Sequence, residues 1–534
     1  MARAALAMII ASLLLLPEAH ASIEEPSISP TPPMGFNDWA RFMCNINESL
    51  FVETADAMVE KGLLAAGYNR VNMDDCWPSH ERAPNGSLQW NETLFPNGLI
   101  WLGQYLHSKG FHFGIYEDAG NETCGGYPGT RGHEAQDART FESWGVDYLK
   151  LDGCNVFPDT EPTYQEVYHK WHTILPNLKV PIVFSESAPA YFAGTDNNTD
   201  WYTVMDWVPL YGELARHSTD IAVYGLYPAE HYWQSVLTNY GFEVLLARYQ
   251  QPGYYNDPDF IIPDWPWLTL DEKKSQFALW SSFSAPLIIS AYVPTLTDDE
   301  VEFLTNKDII AIDQDPLTLQ ATLVSQDGYF DVLTKNLANG DRLLTVLNRG
   351  NDTNSTTVSV ERMGLEGGCD YQVKDLWTGQ TQDVSGSMKV TLNQHATGIY
   401  RISGISGKVT PTGMIFNTAS LHCMTADSSA VSFVNCTGAE EQVWQVSTQG
   451  HVSPLSDWKA CLTQASDGGL ALQNCQWRGK TQNWAYHVSG NLINAASGEC
   501  LQEGGESMGR CGWERDSQVF GMPSGVHVIR GQVV

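Results

Sequence analysis

The chain of 534 residues is long enough for more than one domain, and it carries 62 Asp and Glu against 30 Lys and Arg, a net charge of −32. That balance excludes electrostatic binding to nucleic acid or to an anionic membrane surface, and it suits a neutral substrate handled at acidic pH. After residue 21 no apolar run approaches the roughly 20 residues that span a bilayer, so the expectation is a soluble chain.

Residues 1–21 read as a secretory signal: Arg3 supplies a positive start, 4–17 are apolar, and Ala19-His20-Ala21 is a small-residue cleavage site. Glycosylation sequons at Asn47, Asn85, Asn91, Asn121, Asn197, Asn351, Asn354 and Asn435 fit a secreted, extracellular protein. From about 30 to 315, strand-like runs alternate with amphipathic helical stretches. The runs centre near Phe36, Met73, Gly114, Lys150, Val183, His217, Tyr254 and Ile288, recurring every 33 to 41 residues. Eight such units predict a catalytic (β/α)8 TIM barrel over 30–315. Active sites of such barrels lie at the C-terminal ends of the strands. Carboxylates collect there: Asp74-Asp75 ends one run, and Val146 to Cys154 carries Lys150 and then Asp152. A charge at the end of a buried strand is costly unless it is used.

From 316 to 403 the helical period gives way to short alternating segments, such as 342–347, 371–377 and 399–402, separated by turns. This predicts an antiparallel β-sandwich domain. The Gly/Ser/Thr/Pro-rich stretch over 404–415 reads as a linker. Beyond it the chain repeats. Cys423, Cys461 and Cys500 recur at 38 and 39 residues, and Cys436, Cys475 and Cys511 at 39 and 36. Each second Cys precedes Gln442-Val443-Trp444, Gln482-Asn483-Trp484 or Gln518-Val519-Phe520. Three units too small to bury a core alone imply a threefold domain whose Trp and Phe fill a common centre. The spacing resembles the ricin-type β-trefoil lectin module over 416–523, which makes polysaccharide a candidate partner. The module's sugar site usually has an Asp soon after Cys-Leu; here those positions hold Thr425, Thr463 and Gln502.

In an oxidising compartment the repeats pair Cys423–Cys436, Cys461–Cys475 and Cys500–Cys511. Cys44–Cys76 and Cys124–Cys154 are paired as staples around the catalytic face, and Cys369 is left as a buried free thiol. His and Cys occur nowhere at closed metal-site spacing, so no metal is expected.

The 34–39 run (M-G-F-N-D-W), Asp74-Asp75-Cys76-Trp77, Gly114-Ile115-Tyr116, the 123–129 run (T-C-G-G-Y-P-G), 149–154 and Asn256-Asp257-Pro258-Asp259 resemble the family 27 glycoside hydrolases over about 30–403. The resemblance implies retaining hydrolysis without a cofactor. It places the nucleophile on Asp152 and the acid/base on Asp220, four residues after the sugar-binding Arg216. Remaining sugar contacts fall on Trp39, Asp74, Asp75, Tyr116, Cys124, Lys150 and Asp259. Retention needs two carboxyl groups about 5–5.5 Å apart, Asp152 ionised and Asp220 protonated, so Asp220's pKa is expected to be raised relative to its partner.

The loop Ser185 to Tyr191 faces the sugar's 2-position by the same resemblance. Galactose-specific members tend to place Glu and a bulky apolar residue there, and N-acetylgalactosamine-specific members Ser and Ala. One register puts Ser187 and Ala190 at those places; a one-residue shift puts Glu186 there. The activity expected is α-galactosidase, acting on terminal α-D-galactosyl residues of oligosaccharides, galactomannans and glycoconjugates. An α-N-acetylgalactosaminidase is the alternative, and a secreted lectin with a silent barrel the remote one. Oligomeric state is not legible in the sequence.

Overall fold

The computed structural model describes residues 28–194, 198–466, 468–476, 478–504, 507–512 and 515–531. The signal segment expected over 1–21 and the sequon at Asn197 lie outside them. Eight parallel strands form the first sheet: β1 Met34–Asn37, β2 Arg70–Met73, β3 His112–Asp118, β4 Tyr148–Asp152, β5 Val183–Glu186, β6 Leu214–Arg216, β7 Tyr255–Asp257 and β8 Leu287–Ile289. Their order is β7-β6-β5-β4-β3-β2-β1-β8. The last gap is bridged just past β7, where Ile261 lies parallel to Ile289 and its N–H reaches the Ile288 carbonyl at 2.8 Å. The sequence-expected barrel is borne out, although β6 ends one residue before His217, the centre expected for it.

Local sequence explains the helices between strands. Asn47 caps Glu48–Glu60 by accepting the Leu50 N–H at 3.0 Å, and Thr269 with Glu272 forms a capping box on Leu270–Phe283. Gly110 and Gly145 stop the helices Leu99–Lys109 and Glu134–Trp144 at φ +97° and +81°, where a side chain would be strained.

The register decides which way each strand residue points. Lys150, Ser185, Leu214 and Tyr255 stand side by side on one sheet face; Leu151, Glu186, Ala215 and Asn256 stand on the other. Tyr148, Val183, Leu214 and Tyr255 close the first face, the barrel interior, as a buried apolar layer. Leu151, Phe184 and Ala215 join the large core between sheet and helices. Two residues further along each strand, the interior turns polar. Lys150, Ser185, Arg216 and Asp257 follow the apolar layer, with Asp152 and Ser187 two residues beyond, so the polar groups of β4 to β7 collect at the strands' C-terminal end.

The antiparallel domain packs a six-stranded sheet, ordered from Thr381–Ser385 at one edge to Thr322–Gln326 at the other, with the pair Asn354–Ser359 and Ser387–Leu392. Cys369 is free and half-buried at the edge of this core, rather than enclosed as expected. The stretch read as a linker is shorter in space, because Thr412–Met414 already pairs with 443–445 as a trefoil strand.

In the trefoil, Trp444, Trp484 and Phe520 are buried together with Leu462 and Leu501, as the repeat implied. The module is seated on the barrel by Tyr202 Oη to Thr418 Oγ1 at 2.6 Å and Arg248 Nε to the Val488 carbonyl at 3.0 Å. All five expected disulfides are formed. Asn47, Asn85, Asn121, Asn351 and Asn435 are exposed, whereas Asn91 and Asn354 are half-buried. Among the described residues no helix is long and apolar enough to cross a membrane.

Candidate active site

Asp152 is the last residue of β4 and is half-buried. Its Oδ1 accepts the Gly153 N–H at 2.9 Å and the Tyr191 hydroxyl. Tyr191 belongs to the turn after β5, and its hydroxyl also lies 3.3 Å from Cys154 Sγ. The Cys124–Cys154 bridge therefore lines the same space, where Tyr116 Oη lies 3.1 Å from Cys124 Sγ.

Two residues before Asp152, buried Lys150 donates to Asp74 Oδ2 at 2.7 Å, and Asn37 Nδ2 donates to the same oxygen at 2.8 Å. Burial opposes the lysine's charge, but Asp74 and then Asp152 outweigh it and hold its pKa above the usual range. Asp74 Oδ1 accepts the Asp75 N–H at 3.0 Å; Asp75 in turn accepts Cys76 N–H at 2.6 Å and Gly125 N–H at 2.7 Å. Two adjacent carboxyl groups, each about 1% exposed, are thus supported by one ammonium, one amide and three backbone donors.

Across the barrel mouth, Arg216 at the end of β6 bridges two acids. Its Nη2 lies 2.9 Å from Asp220 Oδ1 and its Nη1 3.0 Å from Asp259 Oδ1. Asp259 is buried with φ +77°, a left-handed conformation held by Ile221 N–H on its Oδ2 at 2.7 Å and its own N–H on Asp257 Oδ1 at 2.9 Å. Burial raises the Asp259 pKa to about 7 against the pull of Arg216. The Asp220 side chain, by contrast, is 66% exposed. The surrounding walls partly desolvate the carboxyl and raise its pKa, but Arg216 and then Lys150 outweigh that, and the net direction is down. The raised pKa expected for Asp220 is corrected accordingly: in the unliganded site the guanidinium favours its ionised form. Asp152 favours the charged form of Lys150, and Lys150 favours that of Asp220.

Trp39 is half-buried next to Asn37, its backbone N–H donating to Asn37 Oδ1 at 2.8 Å. Ser187 is 3% exposed on the interior face, and its hydroxyl has no hydrogen-bond partner among the described residues; Ala190, half-buried, follows in the turn. Glu186 does not join them. It is fully buried on the outer face, where a Cβ at Gly212 would lie 2.6 Å from its Oε1, and burial and then Glu213 push its pKa well up. Strand alternation is the reason: residues 185 and 187 point inward, so 186 cannot. Ligand atoms of Asp118, Cys124, Asp152 and Cys154 lie within 4.8 Å of one another, but the two sulfurs are bonded to each other and offer no thiolate.

Residues 31–315 match the family described as "Alpha galactosidase A", 327–402 the "Alpha galactosidase C-terminal beta sandwich domain", and 411–518 the "Ricin-type beta-trefoil lectin domain". Alpha-galactosidase A of Aspergillus niger is 58% identical over 521 residues, 96% of this chain and 95% of that protein. The chain belongs to this family of glycoside hydrolases. An alpha-galactosidase of Cyamopsis tetragonoloba is 35% identical across 71% of this chain and 87% of its own length. Among solved structures, alpha-galactosidase I of Mortierella vinacea matches with TM-score 0.65 and 25% identity, covering 72% of this chain and all of that one (100%). The alfa-galactosidase of Saccharomyces cerevisiae matches at TM-score 0.61 and 25% identity, over 71% and 99%. The trefoil follows the barrel and sandwich in the order expected from the sequence.

Within the family frame, three side chains that the sequence reading did not single out stand in the site. Asn37 shares Asp74 with Lys150, and Tyr191 holds Asp152. Asp118 sits beside Asp152 in the β3–β4 register, accepting Gly120 N–H at 2.6 Å and Cys154 N–H at 2.8 Å. Burial and then Asp152 raise its pKa to about 8. Asn37 lies within the 34–39 motif, and Tyr191 ends the loop expected to face the sugar's 2-position. Period-2 alternation along β3 from Tyr116 was the available signal for Asp118. His217 is a packed residue, its Nε2 2.6 Å from a carboxyl oxygen of buried Glu243.

Proposed function

We propose that the chain is a secreted α-galactosidase that releases terminal, non-reducing α-D-galactosyl residues with retention of configuration. The observation that carries this reading is the pairing of a buried Lys150–Asp74 floor with two differently placed carboxyls, Asp152 tied to Tyr191 and Asp220 tied to Arg216. Asp74 and Asp75 would accept the hydroxyls of the sugar, with Lys150 donating, while Trp39, Tyr116 and the Cys124 bridge wall the ring. With Oδ1 engaged by Tyr191 and Gly153, Oδ2 of Asp152 attacks the anomeric carbon as Asp220 gives its proton to the leaving oxygen. The resulting glycosyl ester is then hydrolysed: ionised Asp220 takes a proton from water, the hydroxide adds to the anomeric carbon, and Asp152 leaves as carboxylate. A depressed Asp220 pKa makes the protonated acid scarce at neutral pH, which supports work in acid.

Signal sequence, disulfides and exposed sequons support secretion. One observation favours a second substrate. With Glu186 turned outward, small Ser187 and Ala190 border the interior, and that leaves room for a 2-acetamido group. The test of both is kcat/KM on p-nitrophenyl α-galactoside and α-N-acetylgalactosaminide, with Asp152→Asn alongside. Turnover lost with the fold retained supports the mechanism; unchanged hydrolysis by Asp152→Asn removes it.

A further inference from the structure

The trefoil does not use the residues at which its repeats would hold a sugar. At the positions where the module usually has Asp, Thr425 and Thr463 hydroxyls accept from Gln442 and Gln482 at 3.1 and 2.9 Å, and Gln502 accepts from Gln518 at 3.2 Å. The three equivalent places are closed by internal hydrogen bonds and carry no carboxylate. A cavity of about 350 Å³ opens between the hairpins of the first, second and third repeats, lined by His422, Val431, Phe433, Leu470 and Glu503 and bordered by Gln502 of the third repeat, whereas Thr425 and Thr463 do not reach it. Its chemistry is two-sided. Half-buried Phe433, Val431 and Leu470 form an apolar wall, and Phe433 is braced against Phe520 at a ring separation of 5.6 Å. Opposite, Glu503 Oε1 is 2.6 Å from His422 Nδ1 and Oε2 is 2.5 Å from Ser420 Oγ, which fixes the carboxylate's orientation.

We propose that this inter-repeat cavity is a binding site for neutral hexopyranose units, moved from the individual repeats to the space they share. A pyranose has one flat C–H face for an aromatic wall and a rim of hydroxyls that donate to a carboxylate and accept from an imidazole. The volume lies at the lower end of the roughly 300–1,000 Å³ typical of small-ligand pockets, enough for one or two sugar units. The site is independent of the catalytic reading, since the barrel contributes none of the lining residues. Free galactose, the product, and hexose units of a polysaccharide share this chemistry.

The test uses the full chain and saturation-transfer NMR with galactose and with unsubstituted β-mannan, the latter offering the barrel no galactosyl group. Binding of mannan should fall at least tenfold in Phe433→Ala and in the milder Glu503→Gln, the galactose signal should drop to the part the barrel gives, and both should stay unchanged in Thr463→Ala. Hydrolysis of p-nitrophenyl α-galactoside should be the same in all three, which guards against misfolding. Loss with galactose alone marks a product site; loss with mannan marks a polymer anchor. A mannan signal that survives both cavity variants together with an undiminished galactose signal, or losses that appear in Thr463→Ala instead, overturn the proposal, as does a parent chain that binds neither probe outside the barrel.

Discussion

Replacing Arg216 with Gln tests the electrostatic logic of the site most directly. The guanidinium stands 2.9 Å from Asp220 Oδ1 and is the largest influence holding that carboxyl ionised. A unit charge pair at 4 Å is worth about 1 kcal/mol in water and about 4 kcal/mol at an effective dielectric of 20. Because the Asp220 side chain is 66% exposed, the screened end of that range applies. At about 1.4 kcal/mol per pKa unit, the loss of Arg216 should raise the Asp220 pKa by roughly one unit. The sign is fixed: Asp220 must carry a proton to act on the leaving oxygen, so kcat/KM falls as pH rises through its pKa in the free enzyme. In Arg216→Gln that alkaline limb should move up by about one unit, even as the level of kcat/KM drops with the lost contact to Asp259. In the parent the limb should also shift upward with added salt. A pH series of kcat/KM for parent, Arg216→Gln and Asp220→Asn decides it, since Asp220→Asn should lack the limb altogether. A limb that stays in place or moves down in Arg216→Gln refutes the reasoning.

Lys150→Met removes the ammonium from buried Asp74 and should destabilise the chain by about 3–5 kcal/mol in a urea melt; a loss under about 1 kcal/mol would mean the pair is not electrostatically coupled as described. Ser187→Glu with Ala190→Leu should abolish any hydrolysis of the α-N-acetylgalactosaminide while sparing the galactoside, read as the ratio of the two kcat/KM values. Asp118, Glu213 and Asp259 have pKa values raised to about 8, 7 and 7, with burial as the first cause in each. The folded state therefore keeps protons that the unfolded chain releases above about pH 4, and stability should fall as pH rises from there toward 8, by at most about 1.4 kcal/mol per pH unit per group. Calorimetry should find Tm higher near pH 5 than near pH 8, and the reverse order would contradict it. Opening the Cys124–Cys154 bridge, which closes a separation of 30 residues, by the double Ser variant should cost roughly 3–4 kcal/mol and loosen Tyr116 and Tyr191 together, checked by a melt and by KM.

Much was legible in the sequence because the signals are local or periodic. Strand-like runs every 33 to 41 residues, several of them ending in a carboxylate, predict a barrel with a polar mouth. Three Cys-spaced units with a recurring Gln-x-aromatic required a shared centre, and Trp444, Trp484 and Phe520 fill it. The disulfide partners were readable since each pair lies within one repeat or one face.

Other properties exist only once the strands are in register. Whether Glu186 or Ser187 faces the interior is a question of side-chain phase, and the alignment of β4, β5, β6 and β7 answers it. The ionisation of Asp220 depends on a guanidinium whose distance no spacing reveals, and the link from Tyr191 to Asp152 spans 39 residues of chain. Residue types and their period fixed the fold and the stock of charges at the barrel mouth, because burial acts on each strand by itself. Which of those charges bears a proton was left to tertiary structure, because Coulomb energy depends on the distance between groups from different strands.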